Sequence, residues 1–313
     1  MYHSHLLINV GNNPDRPDWN ICRKWLRNLY RVHQRLCMAF PSAVPAEQER
    51  EAAYCRPFDG KQFRHLRELP SESNGCDVHQ VRNGKNGFLF RIDYPVDAEL
   101  RVRRPVIIVQ SAGENEPDWR YAFGLDKGAT DDCSPADCRR QPPIGNAGFL
   151  LAAPPQVRKV SIALDGDALV MESPKQNYRI RSGDLVRFRL RANPTRKAQD
   201  GSRNGKRKRI DPTLKDHVDW LAGKLGDAGE FPGGMVNETA HTHESIKTFV
   251  PGWAYGWRTK YEPEQPGQRM QWWSVLFEGE FRVKDPATLK TLLECGIGPG
   301  KAFGFGLLSI APA

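Results

Sequence analysis

Leu185-Val-Arg-Phe-Arg-Leu-Arg-Ala192 is the stretch that sets the fold class. Val186, Phe188, Leu190 and Ala192 alternate with Leu185, Arg187, Arg189 and Arg191, the period of two that sends successive side chains to opposite faces of a strand. One face is apolar and the other almost wholly arginine. Asn193-Pro194 ends the strand, because proline cannot donate to a ladder. A basic, glycine-containing loop then runs to Arg209. Upstream, Val157 to Leu164 reads as ordered, and Ser182-Gly183 supplies the turn into the strand. Downstream, Asp211-Pro212 starts a helix to about Leu225, and Trp272 to Val283 is a long strand. Asp285-Pro286 opens a helix to Glu294, and Phe303 to Ile310 closes the chain as a strand. The second half therefore reads β-α-β-β-α-β, with the hairpin before the last helix poorly defined by pattern.

The first half begins the same way. Tyr2 to Val10 is a strand, and Asp18 caps a helix from about Trp19 to Met38. Its apolar stripe is Cys22, Trp25, Leu26, Leu29, Val32, Leu36 and Phe40, and Pro41 closes it. Phe88 to Ile92 and Val106 to Gln110 follow as strands. Residues 42 to 86 read as an insertion, and residues 111 to 155 as a long surface excursion. The economical fold is α+β: two tandem ferredoxin-like (RRM-like) domains, 1–155 and 156–313, with antiparallel sheets, helices on one face and a C-terminal glycine-rich loop.

The chain of 313 residues suits two domains, and 46 Lys and Arg against 37 Asp and Glu leave +9. That excess is concentrated. From Arg187 to Arg209 there are ten basic residues and one acid, Asp200, so this segment alone carries the whole surplus. A focused positive patch suits a polyanion. Seven cysteines without regular spacing fit a reducing cytosol, and the sequence contains neither a membrane-length apolar run nor an apolar leader at Met1 to Val10. Cys133-x4-Cys138 and His241-x-His243 lack a second ligand pair, so neither a metal nor another cofactor is expected.

Gly296-Ile-Gly-Pro-Gly-Lys-Ala-Phe-Gly-Phe-Gly306 holds five glycines in eleven residues. Such a backbone can adopt positive φ and converge its amides on phosphate oxygens, with Lys301 as the nearby charge; it can equally make a tight helix-to-strand connection. It is no Walker loop, because Ala302 stands where Ser or Thr is required. It is no dinucleotide fingerprint either, because it opens no βαβ unit.

On the first helix Tyr30 and His33 lie one turn apart on the shoulder of the apolar stripe, with Arg27, Arg31 and Arg35 further round. A histidine there can be a packed core residue or a proton-transfer group. RNA carries its own nucleophile, the 2′-hydroxyl, so strand cleavage needs only proton transfer and charge neutralisation. The arginine-faced strand and loop suit a phosphate backbone, and the bland alternatives are a solvated edge or a nuclear address in Lys206-Arg-Lys-Arg209. Trp253, Trp257, Trp272 and Trp273 can stack bases, although core packing is the commoner use.

Six pieces in order carry a family resemblance. They are Tyr30-Arg-Val-His33-Gln34 with Phe40-Pro41; Phe88-Leu-Phe-Arg91; Val106-Ile-Ile-Val-Gln-Ser111 with Glu116-Pro-Asp-Trp119; Val186 to Thr195 with Gly205-Lys-Arg207; Ser274-Val-Leu-Phe-Glu-Gly279 with Val283 and Asp285-Pro286; and Gly296 to Leu308. On these the chain resembles the CasE family of CRISPR repeat-processing endoribonucleases of type I-E systems.

The resemblance implies sequence-specific binding of a CRISPR repeat hairpin and metal-independent cleavage at its 3′ base. The products would be a 2′,3′-cyclic phosphate and a 5′-hydroxyl, with the guide RNA kept and other Cascade subunits as partners. The family's active-site Tyr and His map onto Tyr30 and His33. The family's RNA-gripping strand and loop map onto Arg187, Arg189, Arg191, Asn193, Arg196, Lys197, Arg203, Lys206, Arg207, Lys208 and Arg209, and the residue reading adds Arg27, Arg31 and the cradle residues Gly298, Gly300, Lys301 and Gly304 as candidate RNA contacts. The extra sequence at 42–86 and 120–155 departs from compact members. The competing readings are a non-catalytic guide-RNA-binding subunit and a DNA-binding or structural protein.

Overall fold

The computed structural model describes residues 1–11, 22–37, 39, 88–95, 104–111, 116–123, 150–174, 176–197, 207–210, 213–233, 236–237, 242–258 and 268–313. The first unit contains β1 (Tyr2–Leu7), α1 (Arg23–Leu26), α2 (Leu29–Cys37), β2 (Phe88–Asp93), β3 (Val106–Ser111), α3 (Trp119–Phe123) and β4 (Gln156–Lys159). Its sheet has the order β2-β3-β1-β4, every pair antiparallel. Leu6, Ile8, Phe88, Phe90, Ile92, Ile107 and Val109 bury one face of it beneath Trp25, Leu26, Val32 and Leu36 of the helices.

The expected helix from Trp19 to Met38 is, in its described part, two helices broken at Arg27 and Asn28. Asn28 explains the break. Its side chain accepts from the Trp257 N–H (2.9 Å) and donates to the Trp257 carbonyl (3.1 Å), pairing with a strand edge 229 residues away. Part of the expected excursion after residue 111 is core: Trp119 and Phe123 are buried, and Trp119 Nε1 donates to Ser4 Oγ (2.9 Å).

Next come β5 (Ser161–Asp165), β6 (Ala168–Ser173) and β7 (Gln176–Ile180), a small antiparallel sheet, and then β8 (Leu185–Ala192). The stretch expected as one ordered run from Val157 to Leu164 is thus split. Val160 donates to the Met1 carbonyl between two strands that join different sheets. Strand β4, just beyond the expected division at 155/156, pairs with β1 in the first sheet.

The second unit continues with β9 (Thr195–Lys197), β10 (Arg207–Arg209), α4 (Leu214–Leu225), β11 (Gly229–Glu230), β12 (Val236–Asn237), β13 (Thr242–His243), β14 (Ile246–Arg258), β15 (Gln268–Val283), α5 (Pro286–Cys295) and β16 (Leu308–Pro312). The hairpin that the pattern left undefined is β14–β15, paired antiparallel from Ile246↔Gly279 to Arg258↔Gln268. Its sheet runs β12-β13-β14-β15-β8-β16, with β11 on β15. Helix α4 is capped by Thr213, whose hydroxyl accepts from the Asp216 N–H. Helix α5 is capped by Asp285, which accepts from the Ala287 and Thr288 N–H groups. The closing strand starts at Leu308, not Phe303, because Lys301–Phe303 forms a 3-10 turn between left-handed Gly300 and Gly304.

The units meet through the second face of the first sheet. Leu89 touches Gly296, and Gln110 Nε2 donates to the Leu293 carbonyl (2.6 Å). Arg91, 2% exposed, pairs through Nε and Nη2 with both oxygens of Asp93 (2.7 and 3.0 Å). Its Nη1 donates to the carbonyls of Arg189 and Leu307 and to Ser309 Oγ.

Candidate active site and nucleic-acid interface

Helix α2 places Tyr30 and His33 one turn apart. It is anchored at one end by Asn28 on β14 and further along by Arg35 Nη1, which donates to the Ala122 carbonyl (2.8 Å). His33 is 6% exposed. Its ring lies 5.7 Å from that of Phe88 and 6.1 Å from that of Phe303, and Cys37 Sγ is 3.5 Å from Nε2. Burial pushes the Cys37 thiol up, so it stays protonated beside the imidazole, and the ring's tautomer sets which partner donates.

The glycine loop delivers Phe303 to this position. Gly296, Gly298, Gly300, Gly304 and Gly306 all have positive φ. The loop closes on itself where Ile297 donates to the Gly306 carbonyl (2.9 Å) and Gly306 donates to that of Arg191 (2.8 Å). A Cβ on Gly304 would stand 3.0 Å from the Phe90 ring, one on Gly300 2.9 Å from Phe305, and one on Gly298 3.0 Å from Trp220. These three positions meet aromatic rings, so the loop does at least the work of a tight connection. Phe303 also packs on Trp272 at 4.3 Å. Burial holds the Lys301 ammonium below its ordinary value.

Beside this turn lies a cleft of about 850 Å³. Arg27 and Arg31 line it from the helices, Arg191 and Arg269 from the second sheet, and Phe303 and Gly304 from the loop. Burial draws the Arg191 guanidinium below its ordinary value, while Tyr94 and Asp93 oppose that. Arginine remains charged even so, and a cation half out of water attracts an anion strongly.

The basic segment is divided by the tertiary structure. Arg189 turns inward, where Nε sits 2.8 Å from Glu278 Oε1 and 3.7 Å from Asp93 Oδ1. Arg187 is exposed and donates to the Pro312 carbonyl, and Arg191 donates to Ser274 Oγ inside the cleft. Asn193 is buried, with its amide nitrogen 3.6 Å from where a Cβ on Gly300 would be. Arg196, Lys208 and Arg209 are exposed on the β9–β10 hairpin. The expected contacts Arg203 and Lys206 lie outside the described residues, as do the side chains of Lys197 and Arg207. Phe40, Pro41, Cys133, Cys138 and His241 lie outside them as well.

One feature escaped the sequence reading, and one alternative it left open for the tryptophans is decided at two of them. Arg91 with Asp93 looked like an ordinary strand position, although its basic-acidic alternation on a sheet face was a readable sign. Trp253 and Trp257 are exposed at 46% and 44%, not packed in the core. Their spacing with Tyr255 on one strand face was the available signal.

The sequence model of a family described as "CRISPR associated protein" matches residues 73–312. A CRISPR-associated endoribonuclease Cse3 from Thermus thermophilus is 34% identical over 153 residues, 49% of this chain and 67% of that protein. A CRISPR system Cascade subunit CasE from Escherichia coli is 31% identical over 153 residues, 46% of this chain and 67% of that protein. Among solved structures, CRISPR endoribonuclease Cse3 bound to 19 nt RNA superposes with a TM-score of 0.54 at 23% identity, covering 99% of each chain. At that identity the superposition speaks to the fold.

Proposed function

Because this chain belongs to the CRISPR-associated protein family that includes Cse3 and CasE, we propose that it cuts CRISPR repeat hairpins into guide RNAs and stays with the product as a Cascade subunit. The observation that carries the site assignment is the contact of His33, one turn from Tyr30 on α2, with Phe303 of the glycine loop, which itself lines the cleft together with Arg27, Arg31 and Arg191. Both units are ferredoxin-like: β2-β3-β1-β4 in the first and β14-β15-β8-β16 in the second follow the same antiparallel order. We place the division after Lys159.

In the reaction the 2′-hydroxyl beside the scissile phosphate loses its proton and attacks phosphorus. The bond to the 5′-oxygen breaks, that oxygen takes a proton, and a 2′,3′-cyclic phosphate and a 5′-hydroxyl result. His33 exchanges these protons, each transfer contributing typically 10² to 10⁴ in rate. Tyr30 orients the attacking hydroxyl, and Arg27 and Arg31 neutralise charge on the phosphorane. Because His33 is 6% exposed, the ribose reaches it only once a group covering the ring, such as Phe303 at 6.1 Å, moves aside. Arg196, Lys208 and Arg209 meet stem phosphates.

His33→Ala is therefore expected to bind the hairpin with near-parent affinity and cut it at least about a hundredfold more slowly. EDTA leaves the parent rate unchanged, and a 2′-deoxy substrate is bound and not cut. Undiminished cleavage by the variant removes histidine from the mechanism. The burial of His33 also favours a second reading, a binder that anchors guide RNA cut elsewhere. Purified protein incubated with repeat RNA would then yield no cyclic phosphate.

A further inference from the structure

Trp253, Tyr255 and Trp257 occupy alternate positions of β14 and so share one face of the strand. A large aromatic ring is ordinarily withdrawn from water, yet Trp253 and Trp257 are 46% and 44% exposed. Guanidinium groups accompany the rings. Arg209 lies over Trp253 at 5.3 Å and over Trp273 at 4.8 Å, and Arg269 lies over Tyr255 at 4.9 Å. Tyr255 and Trp257 stack with 25° between their planes. The row meets the basic β9–β10 hairpin through Arg209 and lines the same cleft as Arg27 and Arg31.

We propose that this face is a stacking platform for unpaired RNA nucleotides, adjoining the stem contacts at Arg209. It rests on the reading of the protein as a repeat-RNA ribonuclease. A protein partner would leave the arginines without a function, because no acidic counter-surface is needed to hold aromatic rings. Exposed π faces interleaved with fixed cations suit bases joined by phosphates. Base pairs inside a stem hide their faces, so the platform selects nucleotides flanking the hairpin. Each base stacked on such a ring contributes about tenfold in affinity.

The probe is an unstructured oligo(A) RNA carrying 2-aminopurine, whose fluorescence falls when it stacks. The parent protein is expected to quench it, and Trp253→Ala/Trp257→Ala to weaken binding about a hundredfold. Trp253→Phe/Trp257→Phe keeps most of the quenching. Should the alanine pair fail to melt cooperatively, Trp257→Leu carries the test, since leucine keeps apolar bulk and lacks a π face. A folded alanine or leucine variant that binds the probe as the parent does overturns the platform. Hairpin cleavage is assayed alongside. Cleavage without quenching overturns the platform alone, and quenching without cleavage overturns the ribonuclease reading alone.

Discussion

Replacing Arg91 by methionine removes the guanidinium through which the two units are joined. The side chain is 2% exposed and makes five hydrogen bonds. Two go to Asp93, two to the Arg189 and Leu307 carbonyls, and one to Ser309 Oγ. After the substitution the Asp93 carboxylate, 7% exposed, keeps among the described residues an ion pair with Arg189, at 3.7 Å and already paired with Glu278, and the weaker influence of Arg191. Breaking one side of a buried ion pair typically costs about 3–5 kcal/mol, because the remaining charge stays buried. Against a usual stability of about 5–15 kcal/mol this is a large share. Urea unfolding at pH 7 measures it, read as a lower midpoint at constant slope; a changed slope would mean that the units unfold separately. Arg91→Met/Asp93→Leu is expected to recover much of the loss, since it removes the stranded charge as well. A single-variant cost below about 1 kcal/mol, or a double variant worse than the single, would refute the view that this pair is desolvated and joins the units.

Gly304→Ala places a Cβ 3.0 Å from the Phe90 ring at φ 82°. Left-handed backbone in a non-glycine residue costs about 1–2 kcal/mol, so a lowered Tm is expected together with cleavage impaired more than hairpin binding. Equal losses in both would detach the loop from His33. Burial holds His3 down to about 4 and depresses His217, whose Nδ1 donates to the Thr213 carbonyl while Nε2 accepts from Trp273. In the unfolded chain both titrate near 6.5, so below that pH the unfolded state binds more protons. Their contribution is therefore complete above about pH 6.5 and is lost as pH falls toward 4. Urea midpoints at pH 7 and pH 5 check this, and His217→Gln should narrow the difference between them.

Alternation alone was enough to identify β8, because the faces of a strand must differ when only one is buried, whereas β2 and β3 read as short apolar runs and β2 is buried along its whole length. The caps and prolines before α5 and the glycines after it were equally plain, since backbone conformation is a local property. Tyr30 and His33 could be picked out as a pair because helical spacing is also local. What the sequence could not supply was everything that depends on which surfaces meet. The break at Asn28 exists because β14, over two hundred residues later, offers an edge. Arg189 and Arg191 are equivalent in the pattern, yet one faces Glu278 and Asp93 and the other lines the cleft. Phe303 reaches His33 only because five left-handed glycines fold the loop back on itself. Sequence thus determined the elements and the chemistry at hand. Tertiary packing decided which charges were already neutralised and which rings stayed exposed, because desolvation and pairing depend on neighbours that no local pattern encodes.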